Sequence, residues 1–325
     1  MDNNQKNVIY INTLFFAALI LELLIVIIDK SSIINPIEGQ LFRLTFILCV
    51  AKILLTKYNW KEYLLIVLFG VLGFVSYRIT GRNEILRVVA FVVASKNISL
   101  RKAMEVTFYV TFTGIALLIG LSLLHIMGDI AITTDFGRGM VETRYCLGIG
   151  HPNALHCMVF MIVLLGIYLY HEKMNTVTYI VLFVANMGLY ALTDSKTGIV
   201  ITAFTIMAGY ILDLHVRYKE NQYPVKELDW TYIVGLLVFV FAFAMAMGMS
   251  SMMGMSTGPF GQLDRFFTGR IAHAHWFGGA WKRTIFSKPE YTEYFDIGYM
   301  RLFYWYGVIP GTVYMIGNAL QLWDC

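Results

Sequence analysis

The chain has 325 residues, 58% of them hydrophobic, and a formal net charge of only +4. With a mean hydropathy of +0.65 it is too apolar for a water-soluble globule and reads as a polytopic membrane protein. So weak a charge favours no class of partner, and nothing in the chain indicates nucleic-acid binding.

About ten apolar segments are long enough to serve as spans: 8–28, 37–55, 60–77, 84–97, 104–127, 150–170, 175–193, 197–214, 230–250 and 299–319. The first has no small-residue cleavage site behind it, so it reads as a membrane helix and not as a removed signal peptide. The fourth is short and carries Arg87, which predicts a tilted or embedded helix. Most connections are short, but Gly128–Gly148 and Ser251–Gly298 are not. The second of these, 251–298, is long enough to form helices of its own over the membrane. No internal repeat is evident, which speaks against an inverted-repeat transporter. The expected fold is therefore an all-α, polytopic membrane helix bundle, one domain over 1–325, with a large extracytoplasmic loop between its last two spans.

Cys49, Cys146, Cys157 and Cys325 have neither disulfide-framework nor zinc-ligand spacing. The run from Met245 to Met255, with His273 and His275 further on, offers soft-metal donors, but thioethers equally fill irregular apolar contacts. Glu22 and Arg43 lie in the outer halves of the first two spans. A charge at mid-bilayer is disfavoured by about 2.5–3.5 kcal/mol, so the two are expected to pair and tie those helices together.

Charge sets an orientation. With the N-terminus inside, Lys57, Lys61, Lys96, Lys102, Lys173, Lys219 and Lys226 face the cytoplasm with Arg101 and Arg217. The opposite side is rich in arginine: Arg78, Arg82, Arg87, Arg138, Arg144, Arg265, Arg270, Arg283 and Arg301. Lysine is a hydrated point charge, whereas the planar guanidinium binds phosphate and carboxylate bidentately. The inner lysines read as topology determinants and the outer arginines as ligands or as contacts to lipid headgroups.

Arg144-Tyr-Cys-Leu-Gly-Ile-Gly-His151-Pro152-Asn153 runs directly into an apolar helix. Proline suits a first helical turn, and the free N–H groups there, with the positive end of the helix dipole, attract anions. This stretch is the best candidate for a site that holds a phosphorylated group at the membrane edge.

Arg144–Asn153 resembles the R-x-x-x-G-x-x-H-P-N block of the O-antigen ligase and polymerase superfamily, and most closely the Wzy-type capsular and exopolysaccharide polymerases of Gram-positive bacteria. Thr193-Asp-Ser195-Lys196-Thr-Gly198 is similar to that family's Ser-Arg-Thr-Gly element, with lysine in place of arginine. Leu263-Asp-Arg-Phe-Phe-Thr268-Gly269-Arg270 resembles its Leu-Thr-Gly-Arg block in the large outer loop. Tyr294-Phe-Asp296-Ile-Gly-Tyr299, followed by Tyr306-Gly307-Val-Ile, resembles elements near its last helices. The chain stops at Cys325, where such relatives continue with further helices, which reads as a shortened copy.

The resemblance implies a GT-C-like membrane glycosyltransferase in the bacterial plasma membrane. Its substrate would be an oligosaccharide carried on undecaprenyl pyrophosphate, with a flippase and a chain-length regulator of the same pathway as further partners. The chain would be transferred from the lipid pyrophosphate to a sugar hydroxyl of another lipid-linked unit. No cofactor or metal is implied. Arg144 and Arg270 would grip the pyrophosphate, with Arg82, Arg265 and Lys196 assisting; the base would be His151, His273 or His275, and Asp296 would orient it or bind acceptor hydroxyls. For His151 a helix-capping role stands beside the catalytic one. The alternatives are an O-antigen-type ligase, which differs only in its acceptor, and a transporter or flippase of anionic or lipid-linked substrates.

Overall fold

The computed structural model describes residues 3–136, 139–220, 237–241, 244, 248, 259–266, 269–278, 284–294 and 298–324. It is largely helical, and the chain divides into two compact units: Met1–Lys57 with Ala90–Val225, and Tyr58–Val89 with Lys226–Cys325.

The first unit contains α1 (Asn3–Asp29), α2 (Glu38–Leu55), α5 (Leu100–Leu123), α6 (Pro152–Tyr170), α7 (Thr176–Thr193) and α8 (Lys196–Glu220). The residues ahead of the helices explain where several of them start. Ser99 accepts from Lys102 N–H to begin α5, and Asn175 forms a reciprocal capping pair with Thr178 to begin α7. Three apolar clusters hold the bundle together. Phe15, Ala18, Cys49, Ala90 and Ala94 form one; Ile27, Leu118, Ile149 and Leu155 a second; Ile167, Tyr179 and Ile206 a third.

Glu22 is met by the Thr45 hydroxyl, which donates to it at 3.0 Å, while Arg43 lies exposed. A neutral hydroxyl thus supplies a polar tie between α1 and α2. Thr45 sits two residues after Arg43, about 200° further round the helix.

The long connection 128–148 forms an antiparallel hairpin of β1 (Ala131–Asp135) and β2 (Val141–Tyr145), with Ile132 opposite Arg144. Just after it, Gly148 adopts φ +82, and a Cβ there would stand 2.8 Å from the Leu118 carbonyl oxygen. Only glycine lets the strand exit pass this close to α5.

The second unit contains α3 (Trp60–Thr80), α9 (Pro259–Phe266), α10 (Arg270–Gly278), α11 (Gly298–Tyr306) and α12 (Val308–Asp324). Asn59 and Glu62 form a capping box at the start of α3, and Gly81 ends it in the left-handed conformation. The short helix α4 (Glu84–Ala94) carries the Arg87 segment, and at 11 residues it is too short to span unaided. The segment expected as one span over 299–319 is broken at Gly307 into α11 and α12. Gly307 has φ +92, and a Cβ on it would lie 2.6 Å from Ile285 O and Phe286 Cα. The segment 284–287 fills the break: Val308 N–H donates to Thr284 O and Ile309 N–H to Ile285 O, while Ser287 N–H donates to Tyr306 O. Non-helical backbone therefore supplies hydrogen-bond partners that a continuous helix would have held internally.

Six described helices are long and apolar enough to cross a membrane: Ile9–Asp29, Trp60–Thr80, Leu100–Leu123, Pro152–Lys173, Thr176–Thr193 and Lys196–Leu214. Most of the expected 230–250 span lies outside the described residues.

Candidate functional site

In the first unit, one end of the bundle gathers the β-hairpin, the start of α6, the end of α7 and the start of α8. Successive strand residues point to opposite faces, so Glu142 and Arg144 share a face of β2. Arg144 is only 4% exposed on its side chain. It donates from Nε and Nη2 to Glu142 Oε2 at 2.9 and 2.5 Å, and Nη2 lies 3.5 Å from Asp194 Oδ2. Its guanidinium carbon stands 4.3 Å from the Phe136 ring centroid. Two carboxylates and a ring face therefore surround the arginine expected to grip phosphate.

Asp194 is there because α7 ends on it in the left-handed conformation (φ 46, ψ 36), which short polar side chains adopt more readily than others. A carboxylate at a helix C-terminus opposes the dipole, and Arg144 offsets that. Directly beneath, the His156 ring is fully buried between Thr193 Oγ1 (3.1 Å) and Asn186 Oδ1 (3.0 Å). A Cβ on Gly198 would stand 2.5 Å from this ring, so the start of α8 packs onto the imidazole only through glycine. Lys196, the first residue of α8, is exposed.

His151 is exposed and caps α6: its Nδ1 accepts from Asn153 N–H at 3.1 Å. A neutral imidazole with one nitrogen accepting carries its proton on the other, so Nε2 is the donor. Phe136 meets the ring edge-on at 5.5 Å. Cys146, beside Arg144, is buried, and its Sγ lies 3.2 Å from Asp129 O. Burial pushes this thiol above its ordinary range more than the Gly148 backbone hydrogen bond lowers it.

The remaining expected residues belong to the second unit. Asp264 accepts from Ile271 and Ala272 N–H at 2.8 and 3.1 Å, capping α10 with its carboxylate, while Gly269 (φ +76) turns the chain into that helix. Arg265 is exposed and donates to Gly261 O one turn back. Arg270, His273 and His275 are half-buried on α10. Two residues apart on a helix, the histidines diverge by about 200°. Arg82 donates from Nη1 to Lys288 O (3.3 Å) and Trp305 O (3.4 Å), and from Nη2 to Tyr291 O. These contacts pin the 288–291 segment to α11. Asp296 lies outside the described residues.

Glu142 and Asp194 were not among the sequence-derived candidates. Glu142 could have been found from the period-two pattern Val-Glu-Thr-Arg-Tyr, which places it beside Arg144 on a strand. Asp194 carries no such signal, because 50 residues separate it from its partner. Among the described residues no group of three or more His, Cys, Asp or Glu could hold a metal ion.

Six apolar helices, with polar side chains gathered at one end of the first unit, define a largely helical integral membrane protein. No family model, curated protein or solved structure matches the chain.

Proposed function

We propose that this protein is a metal-independent polysaccharide polymerase of the bacterial plasma membrane, with about ten spans and a GT-C-like organisation. It would join oligosaccharide units carried on undecaprenyl pyrophosphate at the outer face. The observation that carries the reading is the meeting of two family-like blocks, remote in sequence. Arg144 of the first lies 3.5 Å from Asp194 of the second, and His156, just past the first, bonds Thr193 and packs on Gly198.

The chemistry follows from the charges. The bond between the anomeric carbon of the donor and its pyrophosphate oxygen breaks, and the acceptor hydroxyl oxygen bonds that carbon. The hydroxyl proton passes to a base, and the lipid pyrophosphate departs with the bonding pair. Sugar transfer has oxocarbenium character, so negative charge builds on the leaving group before the new bond is complete. An arriving pyrophosphate competes with Asp194, the more distant and more exposed of the two carboxylates, while Glu142 keeps the guanidinium in position. One guanidinium about 4 Å from a phosphate oxygen contributes up to about 4 kcal/mol at an effective dielectric of 20.

His151, with its proton on Nε2, serves as a donor to the leaving group rather than as the base. By the family resemblance, His273 or His275 takes the acceptor proton. By the same resemblance, Arg270, Arg265 and Lys196 are pyrophosphate ligands as well. Arg82 holds carbonyl groups, and its part is to position α11.

Purified protein supplied with lipid-pyrophosphate oligosaccharides from a strain lacking it should yield a ladder of evenly spaced products. Arg270→Ala, at normal protein level, should remove the ladder. Full polymer from that variant would overturn the assignment, and transfer of whole chains to a different acceptor would mark a ligase. The break at Gly307 favours a second reading, a transporter of anionic or lipid-linked substrate, because discontinuous helices line such paths. Uptake without any ladder would establish it.

A further inference from the structure

The transfer chemistry leaves unused a buried imidazole that stands one step from the Arg144 cluster. His156 has no solvent exposure; its Nε2 lies 3.0 Å from Asn186 Oδ1 and its Nδ1 lies 3.1 Å from Thr193 Oγ1. A titratable side chain inside a membrane protein is costly unless its polar atoms are satisfied, so the order of donors and acceptors carries information. That order can be read outward from a group with a single role. The Ile199 carbonyl oxygen only accepts, and Asn186 Nδ2 donates to it at 3.1 Å. This fixes the amide, whose oxygen then faces the ring. His156 Nε2 therefore carries the proton and donates to Asn186 Oδ1. In the neutral ring Nδ1 is an acceptor, and the Thr193 hydroxyl donates to it. The same hydroxyl lies 2.9 Å from Leu189 O, the acceptor it would use if both ring nitrogens were protonated. The Thr193 oxygen in turn accepts the Ser195 N–H at 3.4 Å.

Thr193 and Ser195 flank Asp194. Asp194 has φ 46, its N–H donates to Tyr190 O at 2.7 Å, and its Oδ2 lies 3.5 Å from Arg144 Nη2. A non-glycine residue in the left-handed region persists where its surroundings over-determine it. Here the Thr193 oxygen, tied to the imidazole on one side and to Ser195 N–H on the other, closes the turn around Asp194. The two carboxylates on Arg144 are thus held differently. Glu142 shares a face of β2 with the arginine, whereas Asp194 is held by a relay through α6, α7 and α8.

We infer that His156 is a positioning residue: through Thr193 it holds Asp194 against Arg144 and so sets how readily a phosphate-bearing ligand displaces that carboxylate. The inference rests on the proposed function in taking Arg144 as a pyrophosphate ligand. The relay itself can be tested without that assignment.

The full chain with isotope-labelled histidine, in phosphatidylcholine nanodiscs, should show His156 protonated at Nε2 and bare at Nδ1 by nitrogen NMR. A proton on Nδ1 alone, or on both nitrogens, overturns the relay. Inorganic pyrophosphate would then be titrated calorimetrically. Asp194→Asn should bind it about tenfold more tightly than the wild type, as removal of one competing charge-assisted bond provides. Thr193→Val keeps the side-chain shape but loses the hydroxyl, and it should tighten binding about threefold, a fraction of that effect. In the Asp194→Asn background it should change nothing, because the carboxylate it would loosen is gone. His156→Ala should follow the same pattern, and the valine variant covers the case in which it does not fold.

A positioning role predicts a gain of affinity that a purely structural role does not. Weaker binding in Thr193→Val, an unchanged affinity, or equal changes in both backgrounds would therefore overturn the inference. If neither the wild type nor Asp194→Asn binds pyrophosphate, the proposed function fails at Arg144, and thermal midpoints decide the relay. Asp194→Asn should then lower the midpoint of the wild type by about 2 °C and leave that of Thr193→Val nearly unmoved. Equal shifts in the two backgrounds would overturn the relay as well.

Discussion

Arg144 and Arg301 both lie against aromatic rings, yet opposite surroundings balance their charge. Arg144 is almost fully buried, with Glu142 and Asp194 on its donors and Phe136 on its face. Arg301 has two aromatic faces, Tyr294 and Trp305, borders a cavity, and has no ion pair among the described residues. The first arrangement is neutralised from within: a ligand must displace a carboxylate to use it. The second has ring faces and no carboxylate within ion-pair distance among the described residues. An arginine count at a membrane face therefore cannot rank its members as ligands, because the partner decides the role.

The largest expected effect separates the two directly. Arg144→Ala strands two carboxylates beside a buried gap and should destabilise the protein by about 3–5 kcal/mol, read as a fall in the thermal midpoint in detergent. Converting Glu142 to Gln in that background should restore part of the loss. Arg301→Ala should shift stability by only about 0.5 kcal/mol. Equal midpoints for the two alanine variants would erase the distinction.

A smaller effect tests the packing under the Arg144 cluster. Gly198→Ala would press a methyl group onto the His156 ring and should cost about 1–3 kcal/mol. His156 is held from both sides by Thr193 and Asn186, so the ring cannot simply swing away. A double-mutant cycle with His156→Ala should therefore show strong coupling. Additive losses would mean that the contact is relieved elsewhere.

In the second unit a carboxylate serves a helix instead of an arginine. Asp264→Ala removes the cap of α10 and should cost about 1 kcal/mol, whereas Asp264→Asn should retain most of the stability. Equal losses in the two variants would point to charge, not hydrogen bonding, as the main contribution.

The smallest effect concerns Cys146. Its native pKa is raised by burial, so the group's contribution to stability is complete below the unfolded thiol pKa, about 8.5. That contribution declines as the pH rises above this value, because the unfolded thiol ionises first. At pH 8 a water-soluble alkylating agent should leave Cys146 unmodified, and Arg144→Ala should accelerate its modification. Rapid alkylation of the wild type would show that the hairpin does not shield this end of the bundle.

Much of the fold was legible in the sequence because long apolar runs have few stable alternatives to membrane helices. The short fourth helix and the helical segments of the 251–298 loop were foreseen from length and charge. The hairpin was missed: its alternation is short, and it sits in a connection that otherwise reads as loop. The break at Gly307 was missed as well. The apolar run there is continuous, and only the approach of residues 284–287 makes an unwound turn stable. His151 shows the middle case, since its position before Pro152 allowed a capping role, and the Nδ1 bond to Asn153 gave that role a geometry.

The sequence by itself determined that the chain is built of apolar, membrane-crossing helices and where most of them begin and end. Those properties follow from local hydropathy, capping chemistry and charge, each of which acts over a few residues. Only the tertiary structure decided which charges meet. The 3.5 Å approach of Asp194 to Arg144, the imidazole buried against Gly198 and the aromatic seat of Arg301 depend on contacts between elements that local sequence preference does not specify.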